Sequence, residues 1–144
     1  MKTRLMITQN TLLLVAGGLL LLIGAFITLS PVEFYASYSI EIGDNVNLLN
    51  ELKAPAGFLL AAGLFMLGAV LWRSLAEPAL WLVTLIYLSY AIARLLSFAV
   101  DGVPAKGLVA AGILEAIVGL LSLSILLLGY RKESSAQRVN GPRG

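Results

Sequence analysis

The sequence predicts an all-α fold: a four-helix transmembrane bundle with both termini cytoplasmic and a short interfacial helix between spans 1 and 2. Three observations carry this. Apolar residues make up 59% of the 144-residue chain and charged residues 12%, whereas soluble domains average about 45–50% and about 25%. Four apolar runs are each long enough to cross about 30 Å of hydrocarbon, which takes about 20 helical residues. Basic residues are also uneven across a four-span arrangement. Lys2, Arg4, Arg73, Arg131, Lys132, Arg138 and Arg143 fall on one side, Lys53 and Lys106 on the other, which makes the first side cytoplasmic.

Span 1 covers 11–29. Lys2 and Arg4 before it resemble the start of a signal peptide, but the run exceeds the usual apolar stretch of about 7–15 residues and no small-x-small cleavage site follows, so it reads as a span. The connection 30–53 has structure of its own. Ser30 stands as an N-cap, Pro31 at the first helical position and Glu33 three residues after the cap, a capping box with proline where proline fits. This predicts a short helix over 31–38, with Phe34, Tyr35 and Tyr38 facing the membrane interface. Asp44 is the expected cap of the next start. Pro55 predicts a kink in span 2, at 54–72, or an interfacial turn leading into it. Spans 3 and 4, at 79–100 and 105–130, follow after short connections, which makes spans 2, 3 and 4 antiparallel neighbours. Gly17, Gly18, Gly24, Gly57, Gly63 and Gly68 predict close helix packing, and Trp72 and Trp81 read as cytoplasmic belt residues. The membrane domain is 1–130, and 131–144, polar and punctuated by glycine and proline, reads as a disordered cytoplasmic tail.

The absences narrow the chemistry. The chain has no cysteine and no histidine, which removes disulfides, thiolate metal sites, the commonest general base and the commonest metal ligand. No phosphate loop, nucleophile elbow or metal-spacing motif is present. No metal or cofactor is expected, and no catalytic residue can be named. The net charge of +2, with most of the base at the chain ends, suits orientation in a membrane rather than nucleic-acid binding.

Arg94 lies inside span 3. Tyr87, Tyr90, Arg94, Ser97 and Asp101 are spaced 3, 4, 3, 4, which puts them on one helical face. The opposite face carries Leu85, Leu88, Ala91, Ile92, Leu95, Leu96 and Ala99, which suit lipid or core. A charge at the centre of a span costs about 2.5–3.5 kcal/mol, so Arg94 needs a partner. Glu115 is the acidic residue inside span 4, and Gly112, Gly119 and Ser122 beside it admit a close neighbour. At about 1.5 Å per residue, Arg94 lies about 9 Å and Glu115 about 15 Å from the outer ends of their spans, a difference an arginine side chain can close. Glu51 at the outer edge of span 2, with Asn47 and Asn50, is a second candidate. The expected ligand-binding set is therefore Asn47, Asn50, Glu51, Tyr87, Tyr90, Arg94, Asp101 and Glu115, in a polar pocket in the outer half of the bundle. Ionisable residues inside a membrane point to function; the plainer reading is a buried pair that fixes helix register.

The stretches Asn50, Glu51, Leu52, Lys53, then Arg94, Leu95 and Ser97, then Asp101, Gly102 and Pro104, and finally Glu115 resemble a bacterial family of small four-span membrane proteins classed as a domain of unknown function. The likeness covers 46–128, and the plan is also similar to that of DoxX-like four-helix membrane proteins. Lys53 replaces a more usual arginine, and Pro55 with Ala56 departs from a usual glycine-rich stretch. The resemblance implies a multi-pass protein of a bacterial inner membrane and names no reaction.

The leading functional expectation is a pocket for an apolar molecule with one polar end, such as a lipid, quinone or isoprenoid. One alternative is an accessory or assembly subunit whose charges set register with a membrane-protein partner or a second copy. Another is a membrane isomerase or redox enzyme using Glu51, Asp101 or Glu115 as acid and base. A transporter fits least, since four short spans without an internal repeat leave little room for alternating access. No nucleic-acid partner is expected.

Overall fold

The computed structural model describes the backbone of residues 2–139 and the side chains of residues 5–130. Its elements are α1 (Lys2–Leu29), α2 (Pro31–Ala36), α3 (Val46–Leu71), a single 3-10 turn (Arg73–Leu75), α4 (Ala76–Val100) and α5 (Lys106–Val139). Four stretches are long and apolar enough to cross a membrane: Leu5–Leu29, Val46–Leu71, Arg73–Val100 and Lys106–Tyr130.

Small residues set the two closest pairings. α1 and α3 run antiparallel, with Gly17 against Gly63 and Gly24 against Ala56. A Cβ on Gly63 would lie 2.8 Å from the Gly17 carbonyl oxygen and 2.7 Å from Leu21 Cγ, so the backbones meet with no room for a side chain. α4 and α5 pair in the same way, where a Cβ on Gly119 would lie 2.6 Å from Leu88. The glycine expectation holds for Gly17, Gly24 and Gly63. Gly18 and Gly57 have open space around them, and Gly68 lies under the Trp72 ring.

The core occupies one half of the bundle. It is built from Leu12, Leu13, Ala16 and Leu20 of α1, Leu59, Ala62, Met66 and Ala69 of α3, Ala79, Leu80, Val83, Ile86 and Tyr87 of α4, and Val118, Ile125 and Leu126 of α5. All of these lie toward the end where α1 begins and where α3 turns into α4. Its polar groups are satisfied. Ser122 Oγ donates to the Leu80 carbonyl at 2.8 Å, Thr84 Oγ1 to the same carbonyl at 2.9 Å, and Tyr87 Oη crosses to the Ala16 carbonyl at 2.8 Å. Trp72 and Trp81 are exposed at this end, where belt residues would sit.

Several local expectations are corrected. α3 starts at Val46, as the start expected after Asp44 requires, but its cap is Asn45, whose side chain accepts from the backbone N–H of Asn47 and Leu48 at 3.1 and 3.2 Å; Asp44 is one residue too early. Pro55 sits inside α3 without ending it. Pro31 opens α2 as expected, but Ser30 makes no side-chain capping bond and the helix stops at Ala36. α5 does not end at Tyr130. Its backbone stays helical to Val139, so the first part of the expected tail is helix, and 140–144 lie outside the described residues.

Candidate functional site

In the other half of the bundle a space opens between the α1–α3 pair and the α4–α5 pair. α4 beyond Ala91 is exposed on most positions, Ile92, Leu95, Leu96 and Val100 among them. Arg94 and Phe98 are the exceptions, and Glu115 answers Arg94. Arg94 Nε donates to Glu115 Oε2 at 2.7 Å and Nη2 to Oε1 at 3.2 Å. This is the bidentate fork in which guanidinium and carboxylate fit best. The two side chains are 31% and 12% exposed, and theirs is the one ion pair among the described residues. Gly112 makes room for it: a Cβ there would press on Arg94 Cδ at 3.1 Å, so the arginine stem lies directly across α5.

The pair forms part of the wall of a cavity of about 410 Å³, within the usual range of about 300–1,000 Å³ for small-molecule sites. Leu19, Leu20, Ile23 and Ile27 of α1, Leu52, Pro55, Ala56 and Leu59 of α3, Ile86, Tyr87, Tyr90 and Arg94 of α4, and Leu108, Ala111, Leu114 and Glu115 of α5 line it. Leu20, Leu59, Ile86 and Tyr87 also belong to the core and form the floor. The cavity is open at its margin, where Tyr90 and Leu114 are 38% and 43% exposed.

α2 and the turn after it cover the cavity with Phe34, Tyr35, Tyr38 and Ile40. Phe34 is the hub. Its ring meets Tyr35 and Tyr38 edge-on at 5.2 and 5.5 Å and stacks near Phe26 of α1 at 6.5 Å. Tyr38 reaches over Gly107, where a Cβ would lie 3.0 Å from its ring. Ser39 (φ 61°) and Gly43 (φ 60°) turn the chain back toward α3. Phe34, Tyr35 and Tyr38 are thus half-buried over the bundle. Burial, and then the neighbouring Tyr90 phenol, push the Tyr35 hydroxyl above the usual tyrosine value. Tyr90 is also within electrostatic range of Glu115 and Arg94.

Four of the eight expected site residues meet here: Tyr87, Tyr90, Arg94 and Glu115. The other four do not. Asn47, Asn50 and Glu51 are exposed on α3, away from the lining, so Glu51 is not the partner of Arg94. Asp101 is exposed at the end of α4 and accepts a hydrogen bond from Ser97 Oγ at 2.9 Å. The sequence reading missed the cover and the apolar α5 wall of Leu108, Ala111 and Leu114. The recurrence 108, 111, 115 on the Glu115 face was the available signal for that wall.

An all-helical chain with four membrane-length helices and an ion pair joining two of them is a multi-pass integral membrane protein. It belongs to the family described as Domain of unknown function (DUF4345), whose model matches residues 8–126, a stretch that includes both Arg94 and Glu115. No curated protein and no solved structure matches the chain.

Proposed function

We propose that this protein binds an amphiphilic small molecule, a lipid-like, quinone or isoprenoid-type compound, in the covered cavity. One observation carries the reading: a guanidinium fixed by Glu115 stands in the wall of an otherwise apolar cavity. An arginine has five N–H donors, and the two bonds to Glu115 leave the others for a ligand. A few convergent polar groups in an apolar chamber are the usual anatomy of such sites. An open margin between membrane-length helices suits access from the lipid phase.

The geometry favours binding over the acid–base alternative. Glu115 is engaged by Arg94, while Glu51 and Asp101 lie off the cavity, so no pair of carboxylates flanks a common substrate position. The excess of Lys and Arg near the chain ends supports cytoplasmic termini, which would put the cavity in the outer half of the bundle; the bacterial inner membrane follows from the family resemblance alone.

Mass spectrometry of small molecules that co-purify with the wild type and with Ala111→Phe, which fills the chamber, tests the reading. The wild type should carry an apolar compound enriched over bulk lipid, and the helical variant should lose it. Equal lipid profiles in both would overturn the proposal. A membrane-protein partner retained equally by both, with no enriched compound, would favour the accessory-subunit alternative.

A further inference from the structure

We propose that the head group held in this cavity is uncharged and accepts hydrogen bonds, as an alcohol or carbonyl oxygen does, and that carboxylate, phosphate and ammonium heads are rejected. The inference rests on the ligand-binding reading and specifies the ligand's chemical class.

The argument starts from charge balance. Arg94 and Glu115 are the charged residues in the lining, and they neutralise one another at 2.7 and 3.2 Å. An anionic head docking on the remaining guanidinium N–H groups would lie within a few ångströms of the Glu115 carboxylate, and no second cation lines the chamber to compensate. A cationic head would meet Arg94 in the same way. In a partly desolvated site such like-charge contacts are strong, whereas a neutral oxygen takes the same donors without adding charge.

Donor counting gives the second half. The polar side chains in the lining are Arg94, Glu115 and the tyrosines Tyr35, Tyr38, Tyr87 and Tyr90, and Glu115 takes two of the five guanidinium N–H bonds. The Tyr87 phenol is spent on the Ala16 carbonyl, and the Glu115 oxygens each already accept from Arg94. Burial keeps the Tyr35 phenol in its protonated form. The guanidinium N–H groups left over by Glu115 can only donate, so the group that meets them directly is an oxygen with lone pairs on an apolar body.

The test uses the full chain in nanodiscs of a zwitterionic lipid, with radiolabelled dodecanol, dodecyl phosphate and dodecylammonium as probes and protein-free discs as the partition control. Dodecanol should bind saturably, and both charged probes at least about tenfold more weakly. In Glu115→Gln, which leaves Arg94 uncompensated, dodecyl phosphate should gain at least about tenfold relative to dodecanol. In the double variant Arg94→Gln/Glu115→Gln the preference should return to dodecanol. If dodecyl phosphate binds the wild type as tightly as dodecanol, the neutral-head inference falls while the binding reading stands. If no probe binds saturably, the binding reading itself falls. The wild-type comparison decides the matter even where a variant fails to fold.

Discussion

Replacing Glu115 by leucine should destabilise the bundle by about 2 kcal/mol. Removing one partner of a fully buried ion pair costs about 3–5 kcal/mol, because the other charge stays behind unpaired. Here the cost is smaller. Arg94 is 31% exposed and lies six residues from Val100, about 9 Å along the helix at about 1.5 Å per residue. A released guanidinium can therefore turn part of the way to the end of the span. Arg94→Leu should cost a similar amount. The double variant Arg94→Leu/Glu115→Leu should cost less than about 1 kcal/mol, since apolar side chains in place of a buried pair are often neutral or stabilising. The double-mutant cycle should then give a coupling of about 3 kcal/mol. At about 2–4 °C per kcal/mol for a chain of this size class, each single variant should lose about 4–8 °C in Tm, most of it restored in the double. Thermal unfolding followed by circular dichroism, with all four proteins in the same lipid nanodisc, reads this directly. Additive losses, or single variants that melt with the wild type, would refute the argument that each charge depends on the other for its stability in the bundle.

Four further outcomes follow from the geometry. Gly63→Ala should destabilise by about 1–3 kcal/mol through overpacking, because its Cβ would sit 2.8 Å from the Gly17 carbonyl oxygen. Gly18→Ala, with open space around it, should be neutral or stabilising by up to about 1 kcal/mol, and one thermal-melt series covers both. Tyr87→Phe should lose about 0.5–1.5 kcal/mol by removing the donor to Ala16 in the core, measured the same way. Tyr35 titrates above its ordinary value, so the folded state holds that proton more tightly than the unfolded one. Its stabilising contribution is present below the unfolded tyrosine value of about 10 and is lost as pH rises through the raised folded value. A tyrosinate absorbance titration of wild type minus Tyr35→Phe should show the Tyr35 step on the alkaline side of free tyrosine; a step at or below it would contradict the burial seen here.

The spans and the ion pair were legible because both signals are nearly one-dimensional. Hydropathy marks a span without any knowledge of neighbours, and a lone charge in each of two adjacent spans can be matched by counting depth. What failed needed a third dimension. Asn47, Asn50 and Glu51 were placed in the pocket from their height on span 2, but their direction depends on the rotation of α3 about its axis. That rotation is set by Gly63 and Ala56 packing on α1, which turns Leu52, Ala56 and Leu59 toward the chamber and leaves Glu51 exposed. Phe34, Tyr35 and Tyr38 have the composition of a membrane belt, and only the stack on Phe26 and the turn at Ser39 and Gly43 show that they fold over the bundle. Residues 131–139 read as tail from their polarity, yet they are rich in helix formers, and the next glycine or proline after Gly129 is Gly141.

The stripe on α4 shows how one periodic pattern divides by depth. Tyr87, Tyr90, Arg94, Ser97 and Asp101 share a face in the sequence, and periodicity alone assigns them one role. Packing gives them three. Tyr87 is 4% exposed in the core, where an unpaired hydroxyl would be costly, so it is tied to the Ala16 carbonyl and fastens α4 to α1. Ser97 and Asp101 are exposed at the end of α4, where Ser97 donates to Asp101. The middle of the stripe, Tyr90 and Arg94, lines a space that is neither packed nor open to bulk solvent on all sides, with Tyr87 at its floor. Polar side chains there keep hydrogen-bonding capacity that the core would have consumed and solvent would have filled. Function in this fold is therefore expected at the boundary between the packed half and the open half, and Arg94 with Glu115 stands at that boundary.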